Sequence, residues 1–201
     1  MAKSRKKRRK LVALRPTGHR VPSPLLAALV AAGVMAAAAL WYWSSDGGTE
    51  RAFLALADAG RGALARVERR PDLGGGHVQP GAAVGYASEF PTSGRHDPRA
   101  LNPGVYDAVQ RPEKIVHALE HGIIVVYVDR PKPEAMAMLK DWAALFAGPW
   151  SGLAVVPKSG LGEAVVLTAW NRVLRLDPFE PAAAAAFIDT YRGRGPEQPV
   201  R

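Results

Sequence analysis

Apolar positions divide the chain into one long uninterrupted run and a patterned region behind it. The run is "LLAALVAAGVMAAAALWYW", Leu25 to Trp43, 19 residues without a charged side chain. As a helix it measures about 28 Å, close to the hydrocarbon thickness of a bilayer. The pattern therefore predicts a transmembrane helix over 25–43, with Trp41, Tyr42 and Trp43 in the interfacial aromatic belt. A cleaved signal peptide has a similar layout, but this run is long for one and ends in bulky aromatics. Its eight alanines make it only moderately apolar, so a helix buried in a domain is the other alternative, which the basic flank before it disfavours.

Residues 44–76 read as a linker and juxtamembrane stalk. "SSDGGTE" is polar, Glu50 to Arg70 carries a weak helical stripe interrupted by Gly60 and Gly62, and "PDLGGG" stops it. The exported domain is expected over 77–192. Short strands are expected at His77 and around Val84–Tyr86, then a Pro/Gly-rich loop carrying His96. Pro112 to His121 reads as a helix, with Pro112 in its first turn, Glu113 at the positive end of its dipole and Gly122 past its end. "IIVVYV" is continuously apolar and β-branched, as in a strand covered on both faces. Lys132 to Phe146 is the clearest amphipathic helix; "LAVVP", "EAVVLTAW" and "VLRL" read as strands, the last two joined through "NR". Pro181 to Tyr191 closes the series as a helix, and 193–201 reads as a disordered tail. The order predicts an α+β fold: a single N-terminal transmembrane helix followed by a small mixed, partly antiparallel sheet packed with two or three helices.

Charge sharpens the topology. The net charge is +9, and nine basic residues from Lys3 to Arg20 precede the first acid, Asp46. The remaining 18 basic and 18 acidic residues cancel. This argues against a nucleic-acid groove on the folded domain. Residues 1–24 are instead expected to be cytoplasmic and drawn to anionic lipid headgroups, with the C-terminal domain extracytoplasmic. The 201-residue chain has no cysteine, which excludes disulfides, thiolate metal sites and cysteine nucleophiles.

The chemistry concentrates in histidine. Four of the five histidines, His77, His96, His117 and His121, fall between residues 77 and 121. Positions 117 and 121 share a helix face, opposite a stripe of Ile115 and Leu119, and this spacing lets two imidazoles converge on one metal ion. His77 and His96 lie beside glycine and proline turns that can bring them over a helix end. The plainer reading is a histidine favoured by the helix C-terminus, with His77 and His96 bonded to loop carbonyls. "HALEH" also fits H-x-x-E-H, in which the histidines hold zinc and Glu120 activates water. The third ligand would then come from a later helix, and Glu197 lies in a Gly/Pro tail, a poor place for a rigid ligand. Glu120 as a partner to an imidazole suits the sequence better. Ser93, in "PTSG", has no base beside it and reads as a turn residue that aims His96. Tyr86, Tyr106 and Tyr127 fit core positions, and Met136 falls on the core face of its helix, which disfavours a copper(I) site of Met136 and Met138.

The pieces "GHVQPGAAVGYASEFPTSGRH", "GVYD", "VHALEHGIIVVY", "VVLTAWNRVLRLD" and "FIDTYRGRGPEQP" together resemble the bacterial domain of unknown function numbered 3105. The resemblance runs from about Val67 to Pro199 and implies a single-span membrane protein with an exported domain. It maps the family's histidines onto His77, His96, His117 and His121, and its glutamate onto Glu120. It implies no activity. Many members look like "CGVYD" where this chain has Pro103 before Gly104–Asp107, so a thiol role there is dispensable. The expectation is a domain binding a transition-metal ion, Cu or Zn, through the four histidines, with binding favoured over catalysis. The alternatives are a metal-dependent hydrolase with Glu120 as base, and a non-catalytic interaction domain of the cell envelope whose protein partner the sequence does not name.

Overall fold

The computed structural model describes residues 24–201. The expected basic segment lies outside the described residues, all but Pro24. Residues 25–43 fall in helix α1 (Pro24–Ala59), most of their side chains outside the described set. Among the described residues no helix is long and apolar enough to cross a membrane. The chain divides into two compact units, Met1–Tyr42 and Trp43–Arg201. The second holds the sheet and the four histidines between 77 and 121.

That unit begins earlier than the apolar pattern indicates. Residues 44–50, expected as a linker, are helical within α1. Phe53 is 1% exposed and Ala57 is buried beside it. Phe53 meets Trp142 and Phe146 edge-on, with ring centroids 5.3 and 4.7 Å apart. A 3-10 turn (Arg61–Arg66) then leads into strand β1 (Glu68–Arg69), which pairs antiparallel with the far edge of the sheet. The expected stalk is thus part of the fold. Its apolar stripe is weak because only one short side of the helix meets the core.

Six strands form one mixed sheet in the order β1-β6-β5-β3-β4-β2. Strand β2 (Gly104–Val105) and β3 (Ile124–Val128) flank β4 (Leu153–Pro157) in parallel; β5 (Val165–Ala169) lies antiparallel to β3, and β6 (Arg172–Leu176) to β5. Helix α3 (Pro133–Leu145) makes the crossover that a parallel β3–β4 pair demands. The α+β expectation and the mixed, partly antiparallel sheet are both present.

Both sheet faces are covered, which explains the continuous apolar run of β3. Ile124, Val126 and Val128 point into one core with α3, α4 (Pro181–Tyr191) and Phe53. Val125 and Tyr127 point into a second core, capped by Ile115, Ala118 and Leu119 of α2 (Pro112–Glu120). Neither strand near His77 nor the one near Val84 forms. His77 makes a single parallel bridge to His96, and 84–86 is irregular. That segment has few apolar residues to bury, and its amides find partners in side chains: the Val84 N–H donates to Glu113 Oε1 at 2.8 Å.

If residues 50–59 are part of the core, Phe53→Ala should cost about 3–5 kcal/mol, the usual range for deleting a buried phenylalanine. Chemical unfolding of the full chain measures this. A fragment starting at His77 should show no cooperative transition.

Candidate metal centre

Helix α2 presents the site, and its two ends explain how. Pro112 fills the first turn, where its missing N–H is no loss, and Glu113 accepts at the N-terminus. At the other end the Gly122 N–H donates to the Leu119 carbonyl at 3.0 Å and the Ile123 N–H to the Ala118 carbonyl at 3.0 Å. This is the Schellman pattern, and Gly122 at φ +90° supplies the left-handed residue it needs. The chain therefore leaves α2 at His121 and enters β3 three residues later, at Ile124. Ile115, Ala118 and Leu119 anchor the helix on the sheet, the Ile115 and Leu119 side chains each worth about 1.5–3 kcal/mol. His117 and His121 are left on the side turned toward the loops.

Two loop stretches bring the other imidazoles over α2. The Gly94 N–H donates to Gly74 O at 2.7 Å, the His96 N–H to Gly76 O at 3.0 Å, and the Val78 N–H to His96 O at 2.8 Å. This short parallel pairing sets His77 beside His96. Ser93 clamps the same stretch: its Oγ accepts from Leu73 N at 3.0 Å and donates to Pro71 O at 3.2 Å. Ser93 is thus a turn-forming residue, as its sequence context suggests.

The rings gather closely. Centroid separations are 5.3 Å for His77–His96, 5.0 Å for His77–His117, 4.8 Å for His96–His117 and 4.6 Å for His117–His121. One ligand atom each from His77, His96, His117 and Glu120 lie within 4.8 Å of one another, and the same holds for His117, His121 and Glu197. The four expected histidines thus fall into two overlapping groups that share His117, rather than one.

Two hydrogen bonds fix the tautomers. His96 Nδ1 donates to Gly94 O and His117 Nδ1 to Asp97 O, both at 2.8 Å. A backbone carbonyl only accepts, so both protons sit on Nδ1 in the neutral rings, and both Nε2 atoms keep their lone pairs. His96 is 0% exposed, and its Nε2 has no hydrogen-bond partner. It nevertheless lies 3.0 Å from Glu120 Oε2, outside hydrogen-bonding geometry. A buried lone pair facing a carboxylate oxygen at this distance is repulsive until a proton or a metal cation stands between them. Burial also depresses the His117 pKa below the ordinary value, assisted by charge on His121, His96 and His77 and opposed by the bond to Asp97 O.

The support behind the rings is polar and buried. Asp97 accepts from the Gly81 and Arg99 amides, each at 2.9 Å, and these bonds hold its carboxyl below the usual range, with help from the Arg99 and Arg111 charges. Burial alone would raise the Glu113 carboxyl, but the Val84 amide, its own amide and Arg111 outweigh it and the net shift is downward. These two acids hold the loop that offers the Asp97 carbonyl to His117. A carbonyl carries no sequence signature, so this partner was not visible in the chain.

Two further residues stand at the site: Trp150, which the sequence did not single out, and Glu197, which its Gly/Pro surroundings disfavoured. Trp150 stacks on His121 at 4.0 Å between centroids, and Glu197 Oε2 lies 2.9 Å from His121 Nε2. The expected disordered tail is ordered over this site. The Gly193 N–H donates to Gly122 O at 2.8 Å and the Glu197 N–H to Glu120 O at 3.3 Å. Gly195 allows this approach, because a side chain there would collide with the backbone of Glu120 and Gly122. Glu197 therefore joins His117 and His121 as an H-x-x-E-H ligand set would require, against the expectation from its Gly/Pro surroundings. Glu120, the base of that scheme, is directed at His96 instead.

The family model described as a protein of unknown function (DUF3105) matches residues 77–201. The chain belongs to the DUF3105 family. No curated protein matches the chain, and no solved structure does. The DUF3105 match begins at His77 and so takes in all four clustered histidines, Glu120 and Glu197, whereas the core of this chain reaches back to Phe53.

The depressed His117 pKa fixes a sign for the metal-free protein. The unfolded chain takes up a proton near the ordinary imidazole value of about 6.5, and the folded state does so only at lower pH. Across that window the unfolded state binds more protons, so stability falls as pH drops below about 6.5. His117→Asn keeps a donor for Asp97 O and should flatten this dependence in urea melts between pH 7.5 and 5.

Proposed function

We propose that this domain binds one transition-metal ion through His77, His96, His117 and the Glu120 carboxylate. The carrying observation is the buried Nε2 of His96, its proton committed elsewhere and its lone pair held against a carboxylate without a hydrogen bond. Such a pair is costly as it stands and becomes favourable with a cation between its members. The Nδ1–H···O=C bonds of His96 and His117 match the partner that metal-ligating histidines use to fix ring orientation.

Three imidazoles and a carboxylate, without thiolate, suit Zn(II) and Cu(II). Four protein donors fill a tetrahedral shell, as in sites that hold metal rather than activate water. This favours storage, delivery or sensing over hydrolysis, and with Glu120 among the donors it is not free as a base.

The same proposal places the domain outside the inner membrane face, tethered by residues 25–43 with the N-terminus cytoplasmic. The support is the uncharged 19-residue run behind a block of nine basic residues. The lipid bilayer, and anionic headgroups at the basic segment, are then its standing partners.

Full-length protein purified without a histidine tag should carry about one equivalent of Zn(II) or Cu(II) by elemental analysis. At free metal 100 times Kd, unfolding should become harder by about 2.7 kcal/mol. His96→Ala should lose at least tenfold in affinity. Equal binding by wild type and variant removes the site. In membranes, the full chain should resist carbonate extraction, and a chain lacking residues 1–42 should be released.

A further inference from the structure

Two ligand groups meet at one ring, and that ring has a single nitrogen to give. His117 Nδ1 is committed to Asp97 O, so Nε2 alone serves either the inner group with His77, His96 and Glu120 or the outer group with His121 and Glu197. The groups therefore exclude each other, and they adjoin across the His117 ring, whose centroid is 4.6 Å from that of His121 and 4.8 Å from that of His96.

We propose that His117, His121 and Glu197 form a second, weaker metal site, a loading station through which a divalent transition-metal ion enters and leaves the inner site. This rests on the inner-site reading. The outer group has three donors against four, and one of them, Glu197, is exposed on the last segment of the chain. Fewer donors, one on a surface segment, give lower affinity and faster release. The inner group has its own exposed donor, His77, but it seats the ion against His96, which is wholly buried.

The outer group also has an approach. His121 lines an open cavity of about 440 Å³ together with Trp150, Lys114 and Arg99. Stacking on Trp150 holds the His121 ring at its edge. Lys114 has no carboxylate partner among the described residues, and Arg99 is only 3.9 Å from the buried Asp97. Two cations on the rim disfavour a bare dication and favour one carried by a small polycarboxylate, whose carboxylates they pair while the metal passes to His121. Glu197 and His117 then displace the chelator, and the ion exchanges Glu197 and His121 for His77, His96 and Glu120 around the shared nitrogen. No bond order or oxidation state changes; only donors are exchanged.

The test is stopped-flow uptake of Co(II), supplied as its citrate complex or as the aquo ion, by full-length protein without a histidine tag. Co(II) is read from its visible absorption, alongside equilibrium titration. Glu197→Gln and His121→Ala should each keep one equivalent with affinity within about threefold of wild type. Both should slow uptake and release by the same factor, at least tenfold, because a station lowers the barrier in both directions. Lys114→Gln should slow uptake from citrate alone. Unchanged rates in Glu197→Gln overturn the station and route the ion past exposed His77. Loss of the bound equivalent in Glu197→Gln overturns it by making Glu197 part of a single site. Equal slowing of both metal forms in Lys114→Gln overturns delivery as a chelate. Should His121→Ala fail to fold, Glu197→Gln decides, its side chain being at the surface. A wild type that takes up no Co(II), Zn(II) or Cu(II) sinks the inner-site reading itself, a result distinct from each of these.

Discussion

The arrangement depends on two protons being in the right place. His96 and His117 each give Nδ1–H to a main-chain carbonyl at 2.8 Å. Each bond is worth only about 0.5–1.5 kcal/mol net, but its consequence is larger than its energy. It fixes the tautomer, aims Nε2, and leaves a lone pair where a neutral protein interior has nothing to offer it. The two acceptors, Gly94 O and Asp97 O, belong to one short loop, so a single loop position sets both rings.

Much of the polar chemistry around the site holds that loop. Asp97 and Glu113 are buried carboxylates with downward-shifted pKa values, satisfied by backbone amides and by Arg111, which also reaches Ala82 O at 2.8 Å. Removing one partner from such a network leaves a buried charge uncompensated, which costs far more than the bond itself returns. The site thus rests on two supports of different kinds. Apolar burial seats α2 on the sheet, and a hydrogen-bonded acid network seats the loop above it.

What could be read from the chain follows the same division. Ile124–Val128, α3 and the β5–β6 pair were legible because burial on a sheet or helix leaves a periodic trace in residue type. The end of α2 was legible because a left-handed residue calls for glycine, and Gly122 is there. The convergence of His77 and His96 on His117 was foreseen as a proposition, from histidine density and helical spacing. Its agent, main-chain pairing between 74–78 and 94–96, was not, because amide-to-carbonyl bonds ask nothing of side chains. The same blindness hid the tail. Gly193 and Gly195 look like the composition of disorder, and here they are what lets one backbone lie against another. The stalk expected over 44–76 hid its core contact for a different reason: among its described residues, the helix turns Phe53, Ala57 and half-buried neighbours inward, too few apolar positions to mark it as core.

The ordered tail changes what the histidine cluster is. Without Glu197, His121 would be a ring stacked on Trp150 at a helix end, and the plainer reading of a dipole-favoured histidine would suffice for it. With Glu197 at 2.9 Å, the residues around His117 form two candidate donor sets that share its one free nitrogen. A purely structural metal site gains nothing from a competitor for its own ligand, since the inner set alone would hold the ion more firmly. A site that must give its ion up does gain, because donor-by-donor exchange around a shared ligand avoids ever leaving the ion bare. On the proposed reading, two donor sets around one ring fit transfer of an ion better than permanent retention, through one imidazole whose other nitrogen is already taken.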